Sequence, residues 1–185
     1  MGKIELDVHT HTIASGHSYS SMNEMVNEAK AKGLQLLGMV EHDVGIPGTC
    51  DPIYFKNYHV IPRVFNGLKI ILGIEVNILD YDGKLSISDD LYQCVDYCMA
   101  GIHFHCYKPG SIEQNTNAVI ETIKNPHISV IVHPDDGYCP LDYEKVVLAA
   151  KKYHTLLEVN NNALRSSSRL NSRENVIEML QLCKK

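Results

Sequence analysis

Histidines, joined by one glutamate, recur at or near the ends of the apolar segments of this 185-residue chain. The candidate metal ligands of this kind are His9, His11, His17, His42, Glu75, His103 and His133. Imidazole and carboxylate groups are the ligands that proteins offer to zinc, iron and manganese. If the apolar segments are parallel strands, their carboxyl ends meet at one face and these side chains share a pocket. The pattern therefore predicts a site for more than one metal ion.

Two His-x-His motifs stand out among these residues. His9 and His11 are two positions apart, so both side chains point to the same side of an extended chain and can bind one ion. A histidine pair in an ordinary turn is the alternative, and it is the more frequent meaning of an isolated motif of this length. Asp7 could orient one of the imidazoles or cap a backbone turn. His103 and His105 repeat the motif, and only one of them need be a ligand.

A second ligand pair is predicted from His17 and His42. His17 lies in a small, polar segment between a predicted strand and helix, and His42 ends the next apolar run directly after Glu41. Adjacent residues of a strand point to opposite sides, so Glu41 and His42 cannot both face the pocket within a regular strand. We assign His42 to the metal and leave Glu41 a supporting or structural role.

Glu75 is the most informative single residue, because it interrupts an apolar run over residues 70–78. An ionised carboxylate in such surroundings is costly unless it is paired or bound to metal. A buried ion pair with Arg63 is the alternative. Since a carboxylate can bridge two metal ions, we interpret Glu75 as the bridging ligand of the site.

Alternating strand and helix patterns would position these residues. Six segments rich in Ile, Val and Leu are predicted as strands: residues 5–9, 36–41, 70–78, 97–103, 128–133 and 156–160. The first helix is predicted to begin at Ser21, with Glu24 completing a capping box, and to end near Gly33. A second helical pattern occupies part of residues 54–65, where Pro62 limits its length. Further helical patterns cover residues 117–124, 142–153 and 172–184. Six strand-helix units predict an α/β sheet or barrel.

Composition limits the class of protein and its partners. The length fits a single domain over residues 1–185, and no apolar run approaches the roughly 20 residues of a membrane span. The amino terminus lacks the pattern of a signal peptide, which predicts a cytoplasmic protein whose six cysteines are reduced. The net charge of −5 and the lack of a basic stripe disfavour a nucleic-acid partner. A small anionic substrate held by metal ions fits better.

Arginines after the sixth predicted strand could bind such a substrate. Arg169 and Arg173 follow three asparagines, and arginine presents a fork of donors suited to phosphate oxygens. A solvated loop is an equally good interpretation of this segment from sequence alone.

Taken in order, these motifs resemble those of the PHP family, the polymerase and histidinol phosphatase superfamily, and most of all its stand-alone bacterial phosphatases. The motifs are Asp7-x-His9-x-His11, His17, Glu41-His42, Gly73-x-Glu75, Gly101-x-His103, His133-Pro134 and Glu158-x-Asn160-Asn161. The resemblance runs from the first strand to about Asn175, and the number, order and spacing of the motifs make it specific.

The resemblance implies a distorted barrel of seven β/α units with two to three zinc or manganese ions at its C-terminal face. It implies that His9, His11 and Glu75 hold one ion, that Glu75, His103 and His133 hold a second, and that His17 and His42 hold a third. Family members carry a later Gly-x-Asp-x-His segment that completes the first and third sites, and this chain ends at Lys185 without one. We therefore expect a domain incomplete at its C-terminus, truncated to six units, with exposed sheet edges that a homo-oligomer could cover.

The function expected from the residues and the resemblance is hydrolysis of small phosphomonoesters by a metal-activated water, with Glu75, His9 and His11 at the catalytic centre. The alternative is a truncated or degenerate PHP barrel that binds a metal or a partner without turnover. A nuclease module of the same superfamily is disfavoured by the acidic charge.

Overall fold

The structure, a computed structural model, describes residues 4–165 and 169–184. The chain divides into two compact units, the first drawn from Met1–Val76 and Ile87–Cys98 and the second from Asn77–Ser86 and Met99–Lys185. Within the described ranges no helix is both long and apolar enough to cross a membrane. The single domain expected over residues 1–185 stays a prediction.

Strands and short helices of the first unit follow the apolar runs of the sequence. They are β1 (Leu6–Thr10), α1 (Met22–Ala31), β2 (Leu36–His42), α2 (Ile53–Lys56), β3 (Val64–Phe65), β4 (Leu68–Asn77) and the start of β5 (Tyr97–Gly101). Short 3-10 helices at Ile13–Ser15, Asn57–Val60 and Asp89–Cys94 lie between them. The strand order in this unit is β1-β2-β4-β5, with β3 antiparallel to β4.

The register of β2 and β4 places two predicted ligands side by side. The two strands run parallel from the pair Leu36 and Lys69 to the pair His42 and Glu75. Both strands are buried over most of their length, as is typical of parallel strands. The imidazole of His42 and the carboxylate of Glu75 therefore lie at the same level of the sheet.

A β-bulge interrupts the pairing of β1 with β2. Asp7 pairs with Leu37, whereas Thr10 pairs with Met39, so β1 carries one more residue than β2 over this stretch. Bulges of this kind bend a strand and re-aim its side chains. The bulge lies beside His9 and sets the direction in which the end of β1 points.

One tyrosine fills the inner side of this part of the sheet. Tyr97 crosses Gly38 and Gly73, where an added Cβ would lie 2.5 Å from the tyrosine oxygen and 2.7 Å from its ring. Its hydroxyl donates a hydrogen bond to the carbonyl of Val8 at 2.7 Å. The two glycines are therefore needed for space, and Tyr97 ties β5 to β1.

In the second unit, β5 continues into the strand order β5-β6-β7. Its further elements are α3 (Ile112–Ile123), β6 (Ile128–Ile131), α4 (Tyr143–Tyr153), β7 (Leu156–Leu157), α5 (Asn161–Arg165) and α6 (Ser172–Cys183). Strands β6 and β7 are parallel, with Val130 opposite Leu156. The core of this unit includes Val119, Ile131 and Val146, each at most 2% exposed.

The predicted α/β class is confirmed, and so is the start of the first helix. Ser21 accepts a hydrogen bond from the Glu24 backbone, and the Glu24 side chain accepts one from Ser21. The helical pattern predicted over part of residues 54–65 forms as the short α2 and the 3-10 helix Asn57–Val60, and it ends before Pro62 as expected. Between β4 and β5 the described chain has only a 3-10 turn, so strand and helix do not alternate throughout.

Candidate metal centre

The ends of β1 and β2 bring three histidines to one oxygen of Glu75 on β4. His9 Nε2, His11 Nε2 and His42 Nδ1 each lie 3.2 Å from Glu75 Oε2. The Glu75 side chain is 1% exposed, as its apolar flanks predict. Arg63, the alternative partner, instead donates to Asp96 at 2.7 Å. The buried carboxylate is therefore surrounded by imidazole nitrogens.

Three of these atoms are spaced as ligands of one ion. His9 Nε2 and His11 Nε2 are 3.3 Å apart, and each is 3.2 Å from Glu75 Oε2. A tetrahedral zinc ion with bonds of about 2.0–2.1 Å has ligand atoms about 3.4 Å apart. The set His9, His11 and Glu75 thus has the chemistry and the spacing of a three-ligand zinc site.

A second group of donors overlaps the first at His11. Donor nitrogens of His11, His17 and His42 all lie within 4.8 Å of one another. The His11 and His42 rings stack with centroids 4.5 Å apart, and the His17 ring is 4.9 Å from that of His42. The predicted pairing of His17 with His42 is compatible with this geometry, which adds His11 to the group.

In the second unit, the rings of His103 and His133 lie against each other. Their Nε2 atoms are 3.3 Å apart, a distance at which two ring nitrogens can share one proton or one cation. His105 is exposed, so His103 is the member of its motif that lies beside another candidate ligand. Gly101 makes the approach possible, since an added Cβ would lie 2.6 Å from His133 Cε1.

Glu158 holds the backbone of His133 in place. His133 has a left-handed φ of 35°, and its backbone N–H donates to Glu158 Oε2 at 2.7 Å. Asn160 donates to the other oxygen of the same carboxylate at 3.0 Å. Sequence reasoning gave Glu158 no role of its own, although a glutamate near the end of an apolar strand was the available signal.

Ser15 and Glu41 support the histidines of the first unit. Both side chains are buried, at 0% and 1% exposure, and the Ser15 hydroxyl donates to Glu41 Oε2. His11 Nδ1 lies 2.9 Å from Ser15 Oγ. Glu41 thus contacts Ser15, which in turn contacts the His11 ring, as a supporting role for Glu41 requires. Ser15 was not predicted, because the sequence shows only a small, polar loop there. Asp7 contacts the backbone of His9, whose N–H donates to Asp7 Oδ1 at 3.2 Å.

The two arginines differ in their surroundings. Arg169 Nη1 lies 3.6 Å from Oδ1 of Asp135, a carboxylate that is fully buried. Arg173 is exposed near the start of α6. Binding of phosphate by either arginine stays a prediction.

The described cysteines are free thiols. Burial and, to a smaller extent, the negative charge of Glu41 raise the pKa of Cys50 to about 11. Burial also raises the pKa of Cys98 and of Cys139 to about 12. These three side chains are therefore protonated at neutral pH, and the ligand chemistry of the centre is that of imidazole and carboxylate.

The arrangement places a histidine-rich candidate metal centre at the ends of parallel strands. The PHP domain family matches residues 7–180. A probable phosphatase of Caldicellulosiruptor bescii is 43% identical over 182 residues, which cover 98% of this chain and 75% of the relative. A probable phosphatase of Clostridium novyi is 40% identical over 183 residues, covering 99% and 75%. The chain belongs to the PHP family.

A solved structure shows the same fold. Histidinol phosphate phosphatase from Lactococcus lactis, complexed with zinc, L-histidinol and phosphate, superposes with a TM-score of 0.69 at 19% identity. The match covers 97% of this chain and 81% of the Lactococcus chain.

Proposed function

We propose that this protein is a metal-dependent phosphatase that hydrolyses small phosphomonoesters. The spacing of His9, His11 and Glu75 carries the proposal, because three protein ligands around zinc leave a position for water or substrate, as catalytic zinc sites require. The relatives named probable phosphatases support it, and so does the zinc and phosphate complex of the structural neighbour.

The residues of the chain have distinct tasks in this proposal. His9, His11 and Glu75 would hold one ion, His17 and His42 would bind a second, and His103 and His133 would offer nitrogens to another. Bound zinc would supply a Lewis acid and a water of lowered pKa. The charge of Glu75 offsets that of a cation in buried surroundings, and its two oxygens suit it to bridge two ions.

Arg169 and Arg173 are the proposed ligands of the phosphate oxygens. Because Arg169 lies against buried Asp135, its removal would leave a buried carboxylate without that counter-charge and would act on stability as well. Arg173→Gln is therefore the cleaner test of phosphate binding, with a higher KM expected at unchanged thermal stability.

The proposal is tested by measuring metal content and hydrolysis of p-nitrophenyl phosphate on the same preparations. Protein stripped of metal should be inactive and should regain turnover on addition of Zn²⁺ or Mn²⁺. His103→Gln should lower both metal content and turnover, whereas His105→Gln, the exposed member of the same motif, should behave as wild type. Metal binding without turnover under either metal would contradict the proposal and favour a PHP protein that binds metal or a partner only.

A further inference from the structure

Ser15 contacts three of the candidate histidine ligands at once. Its hydroxyl oxygen lies 2.9 Å from His11 Nδ1 and accepts the backbone N–H of His42 at 3.3 Å. Its carbonyl oxygen lies 3.1 Å from His17 Nδ1. A fully buried serine thus touches two imidazole rings and the backbone of a third histidine.

Glu41 fixes the direction of the Ser15 hydroxyl. The carboxylate accepts the N–H of Thr12 at 3.2 Å and the hydroxyl of Thr12 at 2.5 Å, and Ser15 Oγ lies 2.5 Å from its Oε2. An ionised carboxylate can only accept hydrogen bonds, and a serine hydroxyl has a single hydrogen to donate. That hydrogen therefore lies between Ser15 and Glu41, and Ser15 Oγ can only accept from His11.

The position of the ring protons follows from these contacts. His11 Nδ1 must carry the hydrogen that it donates to Ser15 Oγ, which leaves the lone pair of the neutral ring on Nε2. That nitrogen is the one that lies 3.2 Å from Glu75 Oε2. His17 Nδ1 must donate as well, because a backbone carbonyl has no hydrogen, and its lone pair is also on Nε2.

We propose that Ser15, oriented by Glu41, is a positioning residue that sets the tautomers of His11 and His17 so that both present Nε2 to metal. This inference rests on the metal binding that the proposed function includes, and it does not require that the protein hydrolyses a substrate. Groups that orient metal-binding histidines through the second ring nitrogen typically change metal affinity by about 10–100-fold when removed.

The tautomers can be measured directly in the metal-free wild-type protein. Long-range ¹H–¹⁵N correlation spectra at about pH 8.5, above the ordinary histidine pKa of about 6.5, distinguish a protonated Nδ1 from a protonated Nε2. We expect His11 and His17 to carry the proton on Nδ1. A His11 ring that carries a proton on Nε2 and none on Nδ1 would overturn the proposal, and this test needs no variant to fold.

Ser15→Ala separates the two histidines. The hydroxyl is lost and the carbonyl is kept, so His11 should populate both tautomers while His17 keeps its own. The dissociation constant for Zn²⁺, measured by competition with a chromophoric chelator, should rise about 10–100-fold. Ser18→Ala is the matched control, since Ser18 Oγ donates to the backbone carbonyl of His11 at 3.0 Å and does not contact the ring, and it should leave both readouts unchanged.

Glu41→Leu tests the second half of the proposal. Without a carboxylate acceptor the Ser15 hydrogen is free to turn to His11, so the spectrum of His11 should change as in Ser15→Ala. An unchanged tautomer in Glu41→Leu would remove Glu41 from the proposal, and unchanged Zn²⁺ affinity in Ser15→Ala would refute the role of Ser15. If the wild type does not hydrolyse phosphomonoesters but Ser15→Ala still weakens Zn²⁺ binding, the proposed phosphatase activity is contradicted and the role of Ser15 is retained.

Discussion

Glu75 combines a side chain that is 1% exposed with three imidazole nitrogens at 3.2 Å. Leaving a carboxylate in such a place without positive charge nearby costs several kcal/mol, roughly, so the site is organised for a cation. The imidazoles contribute donors that are neutral or positive according to protonation. A cation or a protonated imidazole can therefore balance the charge of Glu75.

Glu75→Gln should abolish metal binding at the first site. The amide keeps the size of the side chain but loses the negative charge that offsets the cation, so Zn²⁺ affinity should fall by more than the roughly 100-fold that a supporting residue contributes. Equilibrium dialysis followed by elemental analysis measures it. Glu28→Gln, on an exposed glutamate of α1, is the control, and equal losses in the two variants would contradict a specific role for Glu75.

The role of a single residue can be predicted when its own flanking residues carry the signal. It cannot be predicted when the role arises from contacts with residues distant in the sequence. Glu75 stands out from its own flanking residues, because a carboxylate within an apolar strand needs a reason. Ser15 gives no such signal, since its role arises from contacts with Glu41 and His42, 26 and 27 residues away. Those contacts depend on the turn after β1, which no local pattern specifies.

At the scale of elements, side chains that cap helices were predictable and irregular segments were not. The capping box of α1 could be identified because both of its partners lie within four residues. The helical pattern after β2 was limited by Pro62, but the division of this segment into the α-helix Ile53–Lys56 and the 3-10 helix Asn57–Val60 has no local signal in the sequence. Local patterns thus predict how helices begin better than how long they continue.

Asp142 caps α4, and its removal should destabilise the protein. Its carboxylate accepts the Lys145 backbone N–H at 3.1 Å, so Asp142→Ala should cost about 1 kcal/mol in urea unfolding at pH 7. This hydrogen bond, and then that of the Lys145 side chain, lower the pKa of Asp142 below its ordinary 3.8. The stabilisation is therefore present above pH 3.8 and is lost as the pH falls through the lower pKa of the folded state.

The neutral variant Asp142→Asn is the control for the charge. Asparagine is also a good capping residue, so the variant should stay close to wild type at pH 7 and lack the acid-dependent loss. A wild type that loses no stability relative to Asp142→Asn as the pH falls below 3.8 would contradict this assignment.

For the molecule as a whole, the strands at the ends of the sheet order expose apolar side chains. Leu6 of β1 is 54% exposed, and Leu156 of β7 is 65% exposed beside a groove of about 710 Å³ that Leu148 and Leu182 also line. Edge strands that expose apolar side chains tend to associate with other chains. The oligomer expected from the sequence remains a proposal, and these are the surfaces on which it would form.

Sedimentation velocity over a range of protein concentrations tests that proposal. We expect the wild type to self-associate as its concentration rises and Leu156→Lys to shift the equilibrium towards monomer. Ile53→Lys, which changes a comparably exposed apolar residue on α2, should have no effect. A monomer at all concentrations would exclude an oligomer formed through these edges.

The bulge in β1 gives the site a dependence on strand length as well as on residue type. Deleting Val8 would make the count of residues between Asp7 and Thr10 match that of β2 and restore regular pairing. Every histidine and Glu75 would remain in the sequence, but a shift of one residue turns strand side chains to the opposite face. The shortened chain would still contain all seven candidate ligands, but His9 would no longer face Glu75.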